Sequence, residues 1–176
     1  MNMNKLFEIE KLGLRITWKL IWLGLNGKDD MAKQLRKEDA LEYLNEKLEY
    51  NEHYIDEMIF ILCNCEDDER TDRYLKRLAE RENTSEIIQY RKWQVYLLER
   101  ILVQPKDDPL QGMLELMEYW TSAGDMSRTP FSLPTQKTAQ EYFTSANYQE
   151  CFAKSKAWVR NEIQSIRQAE VDVVGI

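Results

Sequence analysis

The chain has 176 residues, 43% of them hydrophobic and 31% charged, with a net charge of −7 at neutral pH. That length suits one domain with a substantial core, and the acidic balance argues against nucleic acid, whose binding needs clustered lysine and arginine. The longest apolar runs, Leu20–Leu25 and Met58–Cys63, hold six residues each, well short of the about 20 that cross a bilayer.

Met1–Glu10 is interrupted by Lys5, Glu8 and Glu10, so it does not read as a secretory signal. A cytoplasmic location is expected, and three cysteines, an odd number, suit reduced thiols. The few glycines and prolines and the abundant Leu, Glu, Lys, Arg, Gln and Ala favour helix throughout.

In chain order, Thr17 caps a short apolar helix over Trp18–Leu25, which Gly24, Asn26 and Gly27 end. A second helix, near Glu38–Tyr50, aligns Leu41, Leu44 and Leu48 on one face and Glu38, Glu42, Glu46 and Glu49 on the other. A third, near Glu52–Cys63, groups Ile55, Met58, Ile59 and Leu62. A fourth, near Glu69–Arg81, carries Leu75, Leu78 and Ala79.

Thr84 or Ser85 opens a longer helix to about Val103. Its apolar positions, Ile88, Val95, Leu98 and Leu102 widened by Tyr90, Trp93, Leu97 and Ile101, cover much of the circumference, the mark of a central helix. Asp108–Pro109 reads as an N-cap followed by proline at the first helical position, and that helix continues through Met113, Leu116, Met117 and Trp120. Residues 121–137, with Gly124, Pro130 and Pro134, form a long ordered loop. A short helix near Thr138–Thr144 precedes a final one from Asn147 to about Ala169, and Val171–Ile176 reads as a short strand or a frayed tail. The expected fold is all-α, a single domain of seven or eight helices. Residues 38–103 make two helical hairpins in an array that the long C-terminal helix closes.

Charge is distributed unevenly along this frame. Between Glu38 and Glu69 stand twelve carboxylates against one lysine, Lys47, a net of eleven negative charges, so the rest of the chain carries +4. A concentrated field of one sign raises the local concentration of oppositely charged partners and speeds their association. The basic stretch Arg70, Arg73, Lys76, Arg77 and Arg81 follows directly. It reads as counter-charge, pairing with the acidic block across neighbouring helices, ahead of an independent phosphate site.

Recognisable catalytic chemistry is sparse. Gly24-Leu-Asn-Gly27 lacks the further glycine and the Lys-Ser/Thr ending of a phosphate loop. His53 is the single histidine, which excludes a two-histidine zinc helix. Cys63-Asn64-Cys65 is one residue short of Cys-x-x-Cys, and Cys63 continues the apolar face of Met58–Leu62, so it reads as a buried structural thiol. The row Glu42, Glu46, Glu49 and His53 lacks the two Glu-x-x-His pairs of a di-iron bundle. The run Glu66, Asp67, Asp68 and Glu69 suits the start of the following helix but lacks the alternating ligands of a calcium loop. The tryptophans read as core. Phe131, held in the irregular loop, either folds back onto the core or anchors a partner.

The stretch Ile16-Thr-Trp-Lys-Leu-Ile-Trp-Leu-Gly24 resembles the opening of a bacterial domain family of unknown function, number 2247. Arg91-Lys-Trp-Gln-Val-Tyr-Leu-Leu-Glu99 is similar to its Trp-centred long helix. Asp108-Pro-Leu110, followed by Leu114, Met117 and Tyr119, is similar to its next helix. The resemblance covers roughly residues 12–135; the family's Tyr-Pro step after the third motif here reads Ala123-Gly-Asp-Met126. It implies a small cytosolic bacterial protein. It also implies an immunity role, because some similar proteins sit beside secreted toxin genes.

The expected function is therefore that of a non-enzymatic binding protein, an immunity or antitoxin-like inhibitor of a basic bacterial toxin domain. The expectation includes no catalytic residue, metal or cofactor and neither nucleic acid nor membrane as partner. Glu38, Glu42, Glu46 and Glu49, the run Glu66, Asp67, Asp68 and Glu69, and Phe131 are the candidate contacts. The alternative is an intracellular helical adaptor for an endogenous protein, and a third reading is a metal-dependent hydrolase using the clustered carboxylates.

Overall fold

A computed structural model describes the backbone of residues 4–27, 31–49, 55–132 and 138–174, and side chains as far as Glu170. Among the described residues the regular structure is all helical: α1 Lys5–Lys11, α2 Trp18–Asn26, α3 Lys37–Leu48, α4 Ile55–Cys63, α5 Asp68–Arg81, α6 Glu86–Val103, α7 Pro109–Ser122, a 3-10 turn Met126–Arg128, α8 Ala139–Tyr142 and α9 Ser145–Val174. The all-α expectation holds. Tyr50, Glu52, His53, Pro134, Gly175 and Ile176 lie outside the described residues.

Local chemistry sets these boundaries. Thr17 Oγ1 accepts from the Leu20 N–H at 3.0 Å and so caps α2. Gly27 ends that helix with φ +67°, and a β-carbon there would lie 2.7 Å from the Met31 carbonyl oxygen, so only glycine fits without strain. Asp108 accepts from the Leu110 N–H at 3.0 Å with Pro109 at the first helical position. Thr138 and Glu141 form a reciprocal capping box on α8.

The helix that the sequence reading lacked is α1. Its charged residues disguise an amphipathic turn: Asn4 caps it, Leu6 and Ile9 are both 0% exposed, and Glu8 and Lys11 face away from that pair at helical spacing. The final helix is also longer than expected, at 30 residues, and the stretch that read as a strand or tail is helical to Val174.

The chain separates into two compact units, with divisions that fall inside α6 and α9. The first holds residues 1–92 and 167–176. Here α2 packs on α5, and α3 lies against α1 and α4, with α4 also touching α5. Leu20, Ile21, Leu23, Met58, Ile61 and Leu75 are buried at its centre. Arg167 of α9 donates to the Leu12 and Gly13 carbonyls at 2.6 and 3.0 Å, holding that end of α9 on the exit of α1.

The second unit holds residues 93–166, and its interior is aromatic. Trp93 and Trp120 are both 0% exposed. Trp120 meets Trp158 and Tyr119 edge to face, with centroids 5.1 and 5.0 Å apart, the preferred geometry for such pairs. Tyr119 Oη donates to the Gln94 carbonyl at 3.0 Å, and Arg128 pairs with the buried Glu162 at 2.5 Å. Gly112 of α7 lets the Tyr148 ring approach; a β-carbon there would sit 2.3 Å from Tyr148 Cζ.

Candidate functional site

The predicted acidic contacts all belong to the first unit, and Phe131 belongs to the second. Helix α3 buries Ala40, Tyr43 and Leu44 and leaves Glu38, Glu42, Glu46 and Glu49 exposed, as its period requires. Arg36 anchors the start of α3. Its Nη2 lies 2.7 Å from Asp39 Oδ1, and this guanidinium hydrogen bond holds the Asp39 carboxyl below its usual range. Asn4 Nδ2 donates to Glu42 Oε2 at 3.0 Å, and Lys47 pairs with Glu10 of α1 at 2.7 Å. Among the described residues Glu38, Glu46 and Glu49 have no ion-pair partner.

The run Glu66, Asp67, Asp68 and Glu69 is exposed throughout. Asp67 caps α5 by accepting from the Arg70 N–H at 2.9 Å, while Asp68 and Glu69 occupy its first turn, where a negative charge meets the positive end of the helix dipole. Lys37 Nζ bonds Asp68 Oδ1 and so joins the start of α3 to the start of α5. The fold thereby joins the starts of the two acidic runs through residues 31 positions apart in sequence.

The basic stretch departs from expectation. Arg70, Arg73, Lys76, Arg77 and Arg81 all lie exposed on α5, and among the described residues none of them forms an ion pair. Arg70 lies over the Phe60 ring at 5.2 Å instead. The counter-ions of the acidic block are Arg36 and Lys37, from the N-terminal end of α3 itself. The reason is geometric: Thr71, Leu75, Leu78 and Ala79 turn one face of α5 inward, which points its cations to solvent.

Two further placements correct the sequence reading. Phe131 is 7% exposed, so the loop folds back on the second unit and removes this ring from the accessible surface; Tyr142 Oη donates to the neighbouring Ser132 carbonyl at 3.1 Å and pins that loop. Cys63 is exposed and Cys151 is the buried thiol, because α4 turns Met58 and Ile61 inward rather than the Ile55, Ile59 and Cys63 row. Burial raises the Cys151 thiol above its usual value. Among the described residues no group of three or more His, Cys, Asp or Glu is placed to hold a metal, and no helix is long and apolar enough to cross a membrane. His53, the end of the carboxylate row, lies outside the described residues.

The first unit also holds a pocket of about 330 Å³ that the sequence expectations do not include. Trp18, Glu82, Gln89 and Glu170 help line it. Glu82 spends both oxygens on the N-terminus of α2, accepting from Trp18 N at 2.9 Å and Lys19 N at 2.8 Å. Thr17 Oγ1 donates to Gln89 Oε1 at 2.9 Å. Beside it Lys92, 0% exposed, donates to Glu170 Oε1 at 2.6 Å and to the Arg15 carbonyl at 2.5 Å. Burial lowers the Lys92 ammonium below its usual value, against the opposing pull of Glu170. The signal was present in α6: a helix apolar over most of its circumference leaves no solvent face for Gln89 and Lys92 to share.

No curated protein and no solved structure matches the chain. The family model described as uncharacterized protein conserved in bacteria, DUF2247, matches residues 7–163, a span that takes in the Trp-centred stretch of α2, that of α6 and the Asp-Pro start of α7. With nearly its whole length matched, the chain belongs to this bacterial family.

Proposed function

We propose that this is a non-enzymatic binding protein, an immunity protein that neutralises a basic toxin domain through the acidic surface of its first unit. The observation that supports the reading best is the Lys37–Asp68 link, which joins the start of the exposed row Glu38, Glu42, Glu46 and Glu49 to the exposed Glu66–Glu69 run. Such a surface steers a basic partner and accelerates encounter. Phe131, being buried, is not part of this surface.

A second reading is a helical adaptor for an endogenous protein. The exposed cations of α5 favour it, since a unit that presents acidic and basic surfaces can hold two partners of opposite charge. A toxin gene beside the gene for this chain supports immunity; an unrelated neighbourhood supports the adaptor.

Co-purification from the native bacterium tests the first reading. The wild-type chain is expected to retain a basic protein with a toxic domain that high salt releases, and the triple variant E38K/E42K/E46K is expected to lose it. Recovery of the same proteins on both baits would remove the acidic surface from the interface.

A further inference from the structure

We infer that this chain pairs with a second copy of itself through the outward face of α3, α4 and α5, with α3 of each copy set against α5 of the other. The inference goes beyond the immunity reading and is tested on the chain alone; a basic partner competes for the same carboxylates.

The face has an apolar centre. Met58 and Ile61 turn inward from α4, so Ile55, Ile59 and Cys63 stand outward at four-residue spacing. All three are exposed, Ile59 by 43%. Helix α4 packs against α3 and against α5, and these two helices carry opposite charge. On α3 the exposed row is Glu38, Glu42 and Glu46; on α5 it is Arg73, Arg77 and Arg81. Among the described residues none of the six has an ion-pair partner. The α5 row lies on the side of α4. Arg70 sits over the Phe60 ring at 5.2 Å, and the Phe60 and Tyr74 centroids are 4.1 Å apart. Arg77 and Arg81, seven and eleven residues beyond Arg70, follow on the same side by helical period. Asp56, exposed and one turn before Phe60, borders the apolar row toward these cations.

The two charged rows match. Each repeats every four residues and spans about 12 Å at 1.5 Å per residue. A surface with an acidic row and a basic row flanking an apolar one is complementary to itself, as an isologous two-fold contact requires. The axis then runs along α4, so Ile59 and Cys63 meet their own equivalents in the second copy. The apolar centre is needed, because exposed ion pairs alone contribute little and are screened by salt. Three helices about 8–10 Å apart and about 18 Å long present about 500 Å² per copy, about 1,000 Å² in total, the lower end for a specific contact. The pairing is therefore expected at micromolar concentration.

Sedimentation equilibrium of the full chain tests this, from about 5 to about 300 µM protein in about 50 mM and about 500 mM salt. The apparent mass is expected to rise with concentration from 21.1 kDa toward twice that value, and to need more protein at high salt. E38K/E42K/E46K and R73E/R77E/R81E, all at exposed positions, are each expected to associate at least about tenfold more weakly, since each sets like charges together. Their equimolar mixture is expected to recover the association: the new lysines of one face the new glutamates of the other, and the remaining native rows still match. In a C65S chain, a short bismaleimide is expected to join two copies through Cys63. The inference is overturned by a wild type that stays at 21.1 kDa or climbs past twice that mass. Variants that associate like wild type, a mixture no better than its components, or a Cys63 that alkylates without cross-linking overturn it equally.

Discussion

The two units spend their interiors differently. The second, residues 93–166, is filled with rings that pack edge to face around Trp120, and the buried acid Glu162 is matched by Arg128. The first, residues 1–92 and 167–176, buries Asn4, Thr17, Thr71, Gln89 and Lys92 among its aliphatic side chains, and leaves Gln89 Nε2 unmatched. Aromatic packing stabilises through area and contact; buried polar groups return little net stability and tie the fold to particular partners. The contrast fits the proposal that the second unit mainly holds the fold and the first, with its exposed acidic rows and the exposed cations of α5, serves recognition.

The largest test of the contrast is Trp120→Ala. A ring that is 0% exposed and shared with Tyr119 and Trp158 is expected to cost about 3–5 kcal/mol on truncation, read as a lower urea midpoint. A loss under about 1 kcal/mol would mean that the aromatic cluster is not what holds the second unit.

Next comes the Lys92–Glu170 pair. Lys92→Ala leaves the Glu170 carboxylate, 16% exposed, without its cation and is expected to cost about 2–3 kcal/mol, somewhat below the value for a fully buried pair. The double variant Lys92→Met, Glu170→Leu is expected to recover most of that loss, because apolar replacement of both partners is often neutral. A double variant no more stable than the single one would show that the pair itself stabilises the first unit.

Gly112→Ala ranks third. Its added carbon meets the Tyr148 ring at 2.3–2.7 Å, and overpacking of this kind costs about 1–3 kcal/mol. Tyr148→Leu, introduced with it, is expected to relieve part of the loss.

The smallest effect concerns alkaline pH, where the units pull in opposite directions. Burial, with Glu162 second, raises the Tyr119 hydroxyl above its usual value of 10. Its contribution is complete below pH 10 and is lost as pH rises toward the folded value, since only the unfolded chain ionises there. Lys92 is lowered from 10.5, so stability gains as pH climbs between its folded value and 10.5. Urea midpoints from pH 8 to 11 are expected to fall less above pH 10 in Tyr119→Phe than in wild type, and to rise less on approach to pH 10.5 in Lys92→Met. Superimposable profiles for all three chains would contradict both assignments.

Much of the fold was legible because caps and period agree. Thr17, Gly27 and Asp108–Pro109 mark helix ends by backbone chemistry that does not depend on neighbours, and Glu38, Glu42, Glu46 and Glu49 fall on one face by geometry alone. What was not legible depends on tertiary contact. Helix α1 is too short and too charged to announce itself, and it is defined by Leu6 and Ile9 meeting a core that the sequence does not show. Cys63 was misplaced because α4 is apolar around most of its circumference, so the inward face is chosen by α3 and α5 rather than by composition. The cations of α5 were read as partners of the acids that precede them, whereas Leu75 and Leu78 turn them to solvent. Gln89 and Lys92 could be flagged as polar residues in a central helix, but Thr17, Glu170 and the Arg15 carbonyl, which receive them, come from distant parts of the chain.

The most direct test of the proposal is the association rate between this chain and the basic toxin domain proposed as its partner, measured by stopped flow from 20 to 500 mM salt for wild type and for E38K/E42K/E46K. Electrostatic steering predicts a wild-type rate that falls steeply with salt and a variant rate that is slower at low salt and nearly flat. Equal rates with equal salt dependence in the two chains would contradict recognition through the acidic surface.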